Sequence, residues 1–409
     1  AANSGRTMNR AAPPRRGLLD KRAMDSPWRR RDADSLRRGE GSIASNGFWS
    51  ALTMATTLSL PLLFVIEDNG YAISVKSRLQ TPGANVAANL AAFQGLKIWD
   101  GDGCDPATTA DLVAEAVAYV REWHGPALLR LTVPRLSGHS SVDNQAYKSE
   151  DERAAEWARD PISAIRRYLV PSQMDEEAWQ RLEEEAAAEV EQAREAALAQ
   201  PQPDVSRITD RVWASGSPAP LVGGLAAEGV KLPEGNDEPH PPDPRRLTMV
   251  EAIRRTLDVE MSINPRCLVF GEDVGHKGGV HAATLGLQVK HGEDRVFDTS
   301  LSEEGIIGRS VGMALAGLMP VPEIQFRKYA DPATEQLHNI GSLRWRTAGR
   351  FAAPVVVRMP GGFRRSGDPW HSVTDEAAFA HSVGWRVAYP SNAEDATGLL
   401  RAALRGDDP

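Results

Sequence analysis

A continuous apolar run constrains the fold of this chain more than any other feature of its sequence. The run covers residues 61–66 and contains no polar side chain. Such a run is typical of a strand that is buried on both faces of a parallel sheet. A second, nearly apolar run follows at 127–133, and apolar residues at helical spacing surround the two runs, at 48–58, 86–94 and 108–123. This alternation predicts a doubly wound α/β domain.

A second α/β pattern follows a long polar segment. Residues 174–200 have the composition of a charged helix, and sequence rich in Pro and Gly then continues to about Arg246, as is typical of a linker. Beyond it the sequence predicts a helix at 249–261 and strands at 267–270, 321–326, 355–359 and 385–389. The fold class is therefore predicted to be α/β, with two doubly wound parallel-sheet domains joined by a helical and Pro/Gly-rich linker.

Composition narrows the functional classes. The 409 residues have a formal net charge of -8, which argues against a general nucleic-acid-binding protein. Cys104 and Cys267 are the two cysteines, and they are too few and too far apart for a disulfide framework or a zinc cluster. No apolar run reaches the roughly 18 residues that a membrane span needs. We therefore expect a cytoplasmic protein that binds neither nucleic acid nor membrane.

The first group of candidate site residues lies around the first predicted strand. Gly39, Glu40 and Gly41 come directly before the helix at 48–58, and Asn69 follows the strand. A glycine-rich turn before a helix offers free N–H groups to phosphate. A carboxylate and an amide oxygen suit Mg²⁺ or Ca²⁺. Taken alone, the two glycines are equally consistent with a plain tight turn.

The spacing of Glu40 and Asn69 resembles the thiamine diphosphate motif. Residues 39–49 and 67–74 as a whole resemble the alpha subunit of the E1 components of 2-oxoacid dehydrogenase complexes. The resemblance implies a cation held by Glu40, Asn69 and the backbone carbonyl of Tyr71. It also implies a cofactor diphosphate bound by three residues of the turn, Gly39, Gly41 and Ser42.

The sequence before Gly39 departs from this family. Family members have a hydrophobic strand there, whereas residues 34–38 are mostly polar, so we expect that strand to be missing. Residues 1–38 contain eleven Lys and Arg against four Asp and show no periodicity, which predicts a basic, disordered leader.

A loop after the second apolar run carries Arg135 and His139 within the sequence Arg-Leu-Ser-Gly-His-Ser. An exposed loop histidine is most simply interpreted as solvated. The loop resembles the Arg-x-x-Gly-His-Ser loop of the family, which lies over the cofactor. The resemblance implies cofactor contacts for both residues and a catalytic role for His139. Residues 146–149 and 160–163 look most like the branched-chain members.

The second group of candidates lies beyond the linker. Activation of thiamine requires a carboxyl group at N1′ of the pyrimidine, in a largely apolar pocket. Residues 298–305 resemble the beta-subunit segment that supplies it and assign the role to Glu303, although a helix N-terminus also favours acidic residues. By the same resemblance Tyr329 packs against the pyrimidine, Glu272 lies near it, and His371 is catalytic. Tyr329 and His371 are also consistent with core positions.

The resemblance covers an alpha-type diphosphate-binding domain at 39–200 and a beta-type pyrimidine-binding domain at 247–409, with a linker at 201–246 and truncation at both ends. It implies thiamine-diphosphate-dependent oxidative decarboxylation of a branched-chain 2-oxoacid such as 3-methyl-2-oxobutanoate. It also implies a homodimer that reductively acylates the lipoyl group of an E2 acyltransferase. A pyruvate dehydrogenase E1, a transketolase-type enzyme and an inactive fragment remain alternatives.

Overall fold

The computed structural model describes residues 35–170, 172–214, 246–362 and 369–409. The disorder predicted for residues 1–34 and the Pro/Gly-rich part of the predicted linker, 215–245, lie outside the described residues. Each half of the chain contains a parallel sheet covered by helices. Among the residues that the structure describes, no helix combines the length and the hydrophobicity needed to cross a bilayer.

The first half is built on a four-stranded parallel sheet with the order β1-β2-β6-β5. These strands are β1 (Ser35–Gly39), β2 (Leu63–Asp68), β5 (Lys97–Asp102) and β6 (Ala127–Thr132). A small hairpin, β3 (Tyr71–Ala72) and β4 (Val75–Lys76), directly follows β2. The two apolar runs therefore form the two inner strands, β2 and β6, as their sequences predict.

Helices cover both faces of this sheet because neighbouring strand residues point in opposite directions. Phe64 and Leu128 pack against one set of helices, and Leu63 and Leu129 pack against the other. The helices are α1 (Asn46–Thr57), α2 (Val86–Asn89), α3 (Pro106–Arg121), α4 (Glu150–Trp157), α5 (Pro161–Leu169) and α6 (Glu176–Leu198). Helix α6 confirms the charged helix predicted at 174–200.

Two sequence predictions in this half are wrong. A strand does precede the glycine turn: β1 pairs with β2 in parallel, with Gly39 opposite Glu67. Among the described strands β1 lies at the edge of the sheet, where a mostly polar sequence is tolerated better than in an inner strand. The same strand also contradicts the disorder predicted for residues 35–38, at the end of the basic leader.

The second half contains a three-stranded parallel sheet with the order β8-β7-β9. Its elements are α7 (Met249–Ile263), β7 (Cys267–Gly271), α8 (Leu287–His291), β8 (Val296–Asp298), α9 (Glu303–Leu315), β9 (Met319–Glu323), α10 (Thr334–Arg346), α11 (Glu376–Ala380) and α12 (Ala393–Leu404). Phe270 of the central strand packs with Ile306 of α9, whereas its neighbour Val269 packs with Leu257 of α7. The sheet is again covered on both faces.

The two later strands predicted here are not regular strands. Residues 355–359 run beside β9, where Val356 N donates to Pro320 O at 3.1 Å and Arg358 N donates to Pro322 O at 2.9 Å. Because both prolines lack an N–H, β9 cannot return these bonds and a full ladder does not form. The segment at 385–389 has no strand beside it, and Arg386 N donates to Pro409 O at 3.0 Å instead.

Candidate functional site

Three neighbouring strands deliver the first group of candidates to one edge of the sheet. Glu40 follows β1, Asn69 follows β2, and Arg135 lies three residues beyond the end of β6. Because the strands are parallel and adjacent in the order β1-β2-β6, their carboxyl ends meet, and ligands of open α/β sheets bind at this edge. The topology therefore brings together residues that are up to 95 positions apart in the sequence.

The carboxylate of Glu40 is buried and only partly satisfied by hydrogen bonds. Its side chain is only 1% exposed, and its Oε2 accepts a hydrogen bond from Asn69 N at 3.2 Å. Its Oε1 is buried without a hydrogen-bond partner, and burial raises the pKa of Glu40. An unpaired buried carboxylate oxygen is unfavourable, and a divalent cation would satisfy it. The residues present therefore fit a cation whose ligands are oxygens.

The proposed ligands form one compact turn. Asn69 Oδ1 accepts from Tyr71 N at 3.1 Å, which places the amide of Asn69 over the start of the hairpin. Gly41 lies against this hairpin so closely that an added Cβ would be 2.5 Å from the Cβ of Ala72. Among the described residues, no three His, Cys, Asp or Glu side chains cluster to hold a metal, so the candidate ligands combine one carboxylate with amide and main-chain oxygens.

The ring of Tyr71 is held by Glu152 and Lys148, which sequence reasoning missed, and by the predicted site residue Arg135. Its hydroxyl donates to Glu152 of α4, which also accepts from Lys76 Nζ at 3.1 Å. The Arg135 guanidinium lies 5.8 Å from the ring centroid, and Lys148 Nζ lies 4.9 Å from it. These contacts join residues far apart in the sequence, so no local spacing signals them. They tie helix α4 to the hairpin that begins at Tyr71.

The histidine loop is shaped by Asp143, another residue that was not anticipated. Asp143 Oδ2 accepts from His139 N at 2.7 Å and lies 3.6 Å from Arg135 Nη2. These interactions, the backbone hydrogen bond from His139 first, lower the pKa of Asp143. His139 itself is exposed, whereas Arg135 is buried. The signal available in the sequence was an aspartate in a loop, a residue type that forms local turns, as Asp143 does by accepting at Oδ1 from Gln145 N at 2.9 Å.

In the second half, two glutamates at neighbouring strand ends influence each other. Glu272 follows β7, and Glu303 begins α9 after β8. Glu272 is 9% exposed, and its Oε1 is buried without a hydrogen-bond partner. Burial, followed by the negative charges of Glu303 and Asp273, raises the pKa of Glu272 to about 7. The pair therefore contains one carboxyl that is protonated about half of the time at neutral pH.

The two other candidates of this half are in direct contact. Tyr329 Oη and His371 Nε2 are 2.8 Å apart and share a hydrogen bond. The Phe326 ring lies 4.3 Å from the imidazole and 5.8 Å from the tyrosine ring, edge-on to the latter. The structure thus places Tyr329 and His371 side by side, which the sequence did not predict. Their roles toward a ligand stay predictions.

Helices α1 and α9 bring the two halves together. Ser50 Oγ of α1 and Ser302 Oγ, at the N-cap of α9, are 2.9 Å apart. Gly305 permits this approach, since an added Cβ would be 3.3 Å from the Cβ of Ser50. The contact places Glu303 beside α1, the helix that follows Glu40 in the sequence. Within the described ranges, no hydrogen bond or ion pair connects Glu303 directly with Glu40 or Asn69.

Comparison with known proteins assigns the two halves. The family model described as Dehydrogenase E1 component matches residues 31–206, and the model described as Transketolase, pyrimidine binding domain matches residues 245–409. The chain joins an E1 dehydrogenase domain to a transketolase-type pyrimidine-binding domain. The strand orders describe how each of these domains is built, and the α1–α9 contact describes how the two domains meet.

The curated relatives match about two fifths of this chain. The 2-oxoisovalerate dehydrogenase subunit beta of Pseudomonas aeruginosa is 48% identical over 164 residues, 40% of this chain and 47% of that protein. The 3-methyl-2-oxobutanoate dehydrogenase subunit beta of Mycobacterium tuberculosis is 45% identical over the same shares. The pyruvate dehydrogenase E1 component subunit beta of Bacillus subtilis is 42% identical over 165 residues, 40% of this chain and 51% of that protein. The chain spans about half the length of these relatives.

Solved structures support the fold across both domains. A transketolase from Campylobacter jejuni superimposes with a TM-score of 0.57 at 15% identity, covering 92% of this chain and 55% of the transketolase. A transketolase from Leishmania mexicana gives a TM-score of 0.55 at 15% identity, covering 92% and 54%. At this identity the likeness shows the fold alone, a transketolase-like α/β arrangement with two parallel sheets.

Proposed function

We propose that the chain binds thiamine diphosphate with a divalent cation, Mg²⁺ or Ca²⁺, between its E1 and pyrimidine-binding domains. Glu40, Asn69 and the carbonyl of Tyr71 would hold the cation. The observation that carries this proposal is the unpaired, buried Oε1 of Glu40 beside Asn69. Both matched domain types belong to proteins that use this cofactor, which supports the same assignment.

The proposed reaction is the oxidative decarboxylation of a branched-chain 2-oxoacid such as 3-methyl-2-oxobutanoate. The acyl group would pass to the lipoyl group of an E2 acyltransferase, and the enzyme would act as a homodimer. The names of the two relatives at 48% and 45% identity support a branched-chain substrate. Relatives at 42% identity named for pyruvate make pyruvate the second candidate.

Thiamine diphosphate supplies a carbon nucleophile and an electron sink for decarboxylation. The turn around Gly39, Gly41 and Ser42 would offer main-chain N–H groups to the diphosphate at the head of α1, where the helix dipole also favours negative charge. Arg135 is buried at the same sheet edge, so its positive charge would add to the attraction for phosphate. These roles need no movement of the strands.

Glu303 would hold the proton at the pyrimidine ring nitrogen from the first turn of α9. Glu272, with a pKa of about 7, would keep a proton beside it and so limit the negative charge in the pocket. Through its hydrogen bond, the Tyr329 hydroxyl would orient the imidazole of His371 toward the substrate or lipoyl group. His139 would act from its exposed loop over the cofactor.

Turnover with a lipoyl acceptor tests this function. The chain, supplied with thiamine diphosphate and Mg²⁺, is assayed with 3-methyl-2-oxobutanoate and with pyruvate, using a lipoyl domain as acceptor. We expect faster turnover of the branched substrate and a loss of at least about 100-fold in Glu303→Gln, because general acid–base groups typically contribute that much. Glu304→Gln changes the adjacent carboxylate and is the matched control. Transfer of two-carbon units between sugars, with no lipoyl acylation, would favour a transketolase-type enzyme instead.

A further inference from the structure

Arg130 is an exception within an apolar strand. It lies inside β6 (Ala127–Thr132), an inner strand whose residues before it are all apolar, and its own side chain is only 11% exposed. Burying a charge in such a strand is unfavourable unless partners offset the loss of water. The arginine therefore has to be explained by what it contacts.

The guanidinium of Arg130 bridges the two strands that flank β6. Toward β2, its Nε and its Nη2 each lie 2.7 Å from Asp68 Oδ2. Toward β5, its Nη1 donates to Asp100 Oδ1 at 2.7 Å, and Asp100 also accepts from Asn85 at 3.0 Å. The side chain of Asp68 is only 8% exposed, so the arginine is its counter-charge in a largely buried place. The bridge ties together the carboxyl ends of three adjacent strands.

Asp68 directly precedes the candidate cation ligand Asn69 and shapes the turn that carries this ligand. Gly70 N donates to Asp68 Oδ1 at 3.1 Å, and Tyr71 N donates to Asn69 Oδ1 at 3.1 Å. Asn69 N in turn donates to Glu40 Oε2 at 3.2 Å. Three consecutive main-chain N–H groups are thus each held by a side-chain oxygen. One oxygen of Asp68 holds the turn, and its other oxygen is held by the arginine.

A group that fixes the neighbour of a metal ligand controls how well that ligand is oriented. We propose that Arg130 positions the Asn69 turn for the cation by holding the carboxylate of Asp68, and that it thereby sets the affinity for the cation and thiamine diphosphate. The inference rests on the proposed function, in which Asn69 is a ligand. Within the described ranges, no hydrogen bond or ion pair joins Arg130 to Glu40, Asn69 or Tyr71, so Arg130 is a positioning residue.

Titration calorimetry with thiamine diphosphate and Mg²⁺ measures the effect on the site. Arg130→Met keeps most of the length of the side chain and removes its charge and its donors. We expect this variant to bind about 10- to 100-fold more weakly than wild type, the usual loss when a residue that orients a metal ligand is removed. Arg130→Lys keeps the charge but not the planar guanidinium, so its affinity should lie between the two. Arg130→Lys decides the outcome even if Arg130→Met folds poorly.

Arg159→Met is the matched control. Arg159 forms an ion pair with Asp102 at 2.9 Å, at the end of the neighbouring strand β5, but its side chain is 46% exposed. We expect this variant to bind the cofactor as wild type does. Wild-type affinity in Arg130→Lys and Arg130→Met, even with a lower stability in urea, would make Arg130 a structural residue and would overturn the proposal.

Hydrogen exchange of the chain without ligands tests the positioning itself. The main-chain amides of residues 69–71 should exchange at least about tenfold faster in Arg130→Met than in wild type and in Arg159→Met, because the turn loses its fixed acceptor. Unchanged exchange of these amides would overturn the proposal. A folded wild type that shows no Mg²⁺-dependent binding would instead refute the proposed function, and the exchange rates would still decide whether Arg130 holds the turn.

Discussion

The raised pKa of Glu272 makes a quantitative prediction about stability. Burial and the charges of Glu303 and Asp273 move this pKa from its ordinary value of 4.5 to about 7. Between these two values the folded chain binds more protons than the unfolded chain, so the free energy of unfolding falls as pH rises. The stabilisation is complete below about pH 4.5 and is lost as pH passes through about 7.

The size of the effect follows from the shift. A displacement from 4.5 to about 7 corresponds to about 3 kcal/mol, since each pH unit contributes about 1.4 kcal/mol. Water penetration and relaxation reduce this value, so it is an upper bound. Glu272→Gln removes the ionisable group while keeping its size. We expect the variant to be more stable than wild type at pH 8 by about 1 to 3 kcal/mol, and close to wild type at pH 5.

Urea denaturation at pH 5, 6, 7 and 8 measures this difference directly. Glu189→Gln, on the exposed surface of α6, is the matched control and should show no pH-dependent change relative to wild type. Glu303→Gln should shift the remaining pH dependence toward lower pH, because it removes one of the charges that raise the pKa of Glu272. A Glu272→Gln variant that is equally or less stable than wild type at pH 8 would refute the reasoning.

Three further predictions concern the packing around Gly41 and Tyr71 and the contact between the two domains. Gly41→Ala should lower the free energy of unfolding by about 1 to 3 kcal/mol in urea denaturation, because the new methyl group would overlap the hairpin. Gly39→Ala, with open space around its Cβ, is the control and should have little effect. Glu152→Gln should weaken cation-dependent cofactor binding by about tenfold in titration calorimetry, since the phenol that it holds anchors the turn; binding equal to wild type would contradict this. In a double-mutant cycle, Ser50→Ala and Ser302→Ala should show a coupling free energy of about 1 kcal/mol in their effects on unfolding. A coupling near zero would show that the hydrogen bond between the two serines does not stabilise the protein.

The sequence predicts the buried parts of this fold better than its edges. The inner strands β2 and β6 are continuous apolar runs because both of their faces are covered, and that condition is visible locally. Strand β1 has a mostly polar sequence, and in the part of the chain that the structure describes it lies at the edge of the sheet. The segment at 355–359 has a strand-like composition, yet the prolines that interrupt its pairing belong to β9. Pairing partners of this kind cannot be read from a single segment.

The candidate site shows the same division between local and distant signals. Glu40 and Asn69 are identified as candidates from their spacing and from the glycines beside Glu40, although the strand before Glu40 is not predicted. The contact between the Glu152 carboxyl and Tyr71 depends on a helix and a hairpin that come together only in the folded chain. The raised pKa of Glu272 likewise depends on burial and on the charge of Glu303, which lies at a neighbouring strand end. The spacing of motifs identifies candidate site residues, whereas the burial, charges and hydrogen bonds around those residues depend on tertiary packing.

Isothermal titration of this chain with thiamine diphosphate, with and without Mg²⁺, tests the central claim most directly. We expect binding that requires Mg²⁺ and that Glu40→Ala abolishes. Glu67→Ala removes an exposed carboxylate from the neighbouring strand and should leave binding intact. Circular dichroism of each variant confirms that its fold is retained. Binding that is indifferent to Mg²⁺ or to Glu40→Ala, or no binding by a folded wild-type chain, would contradict the account.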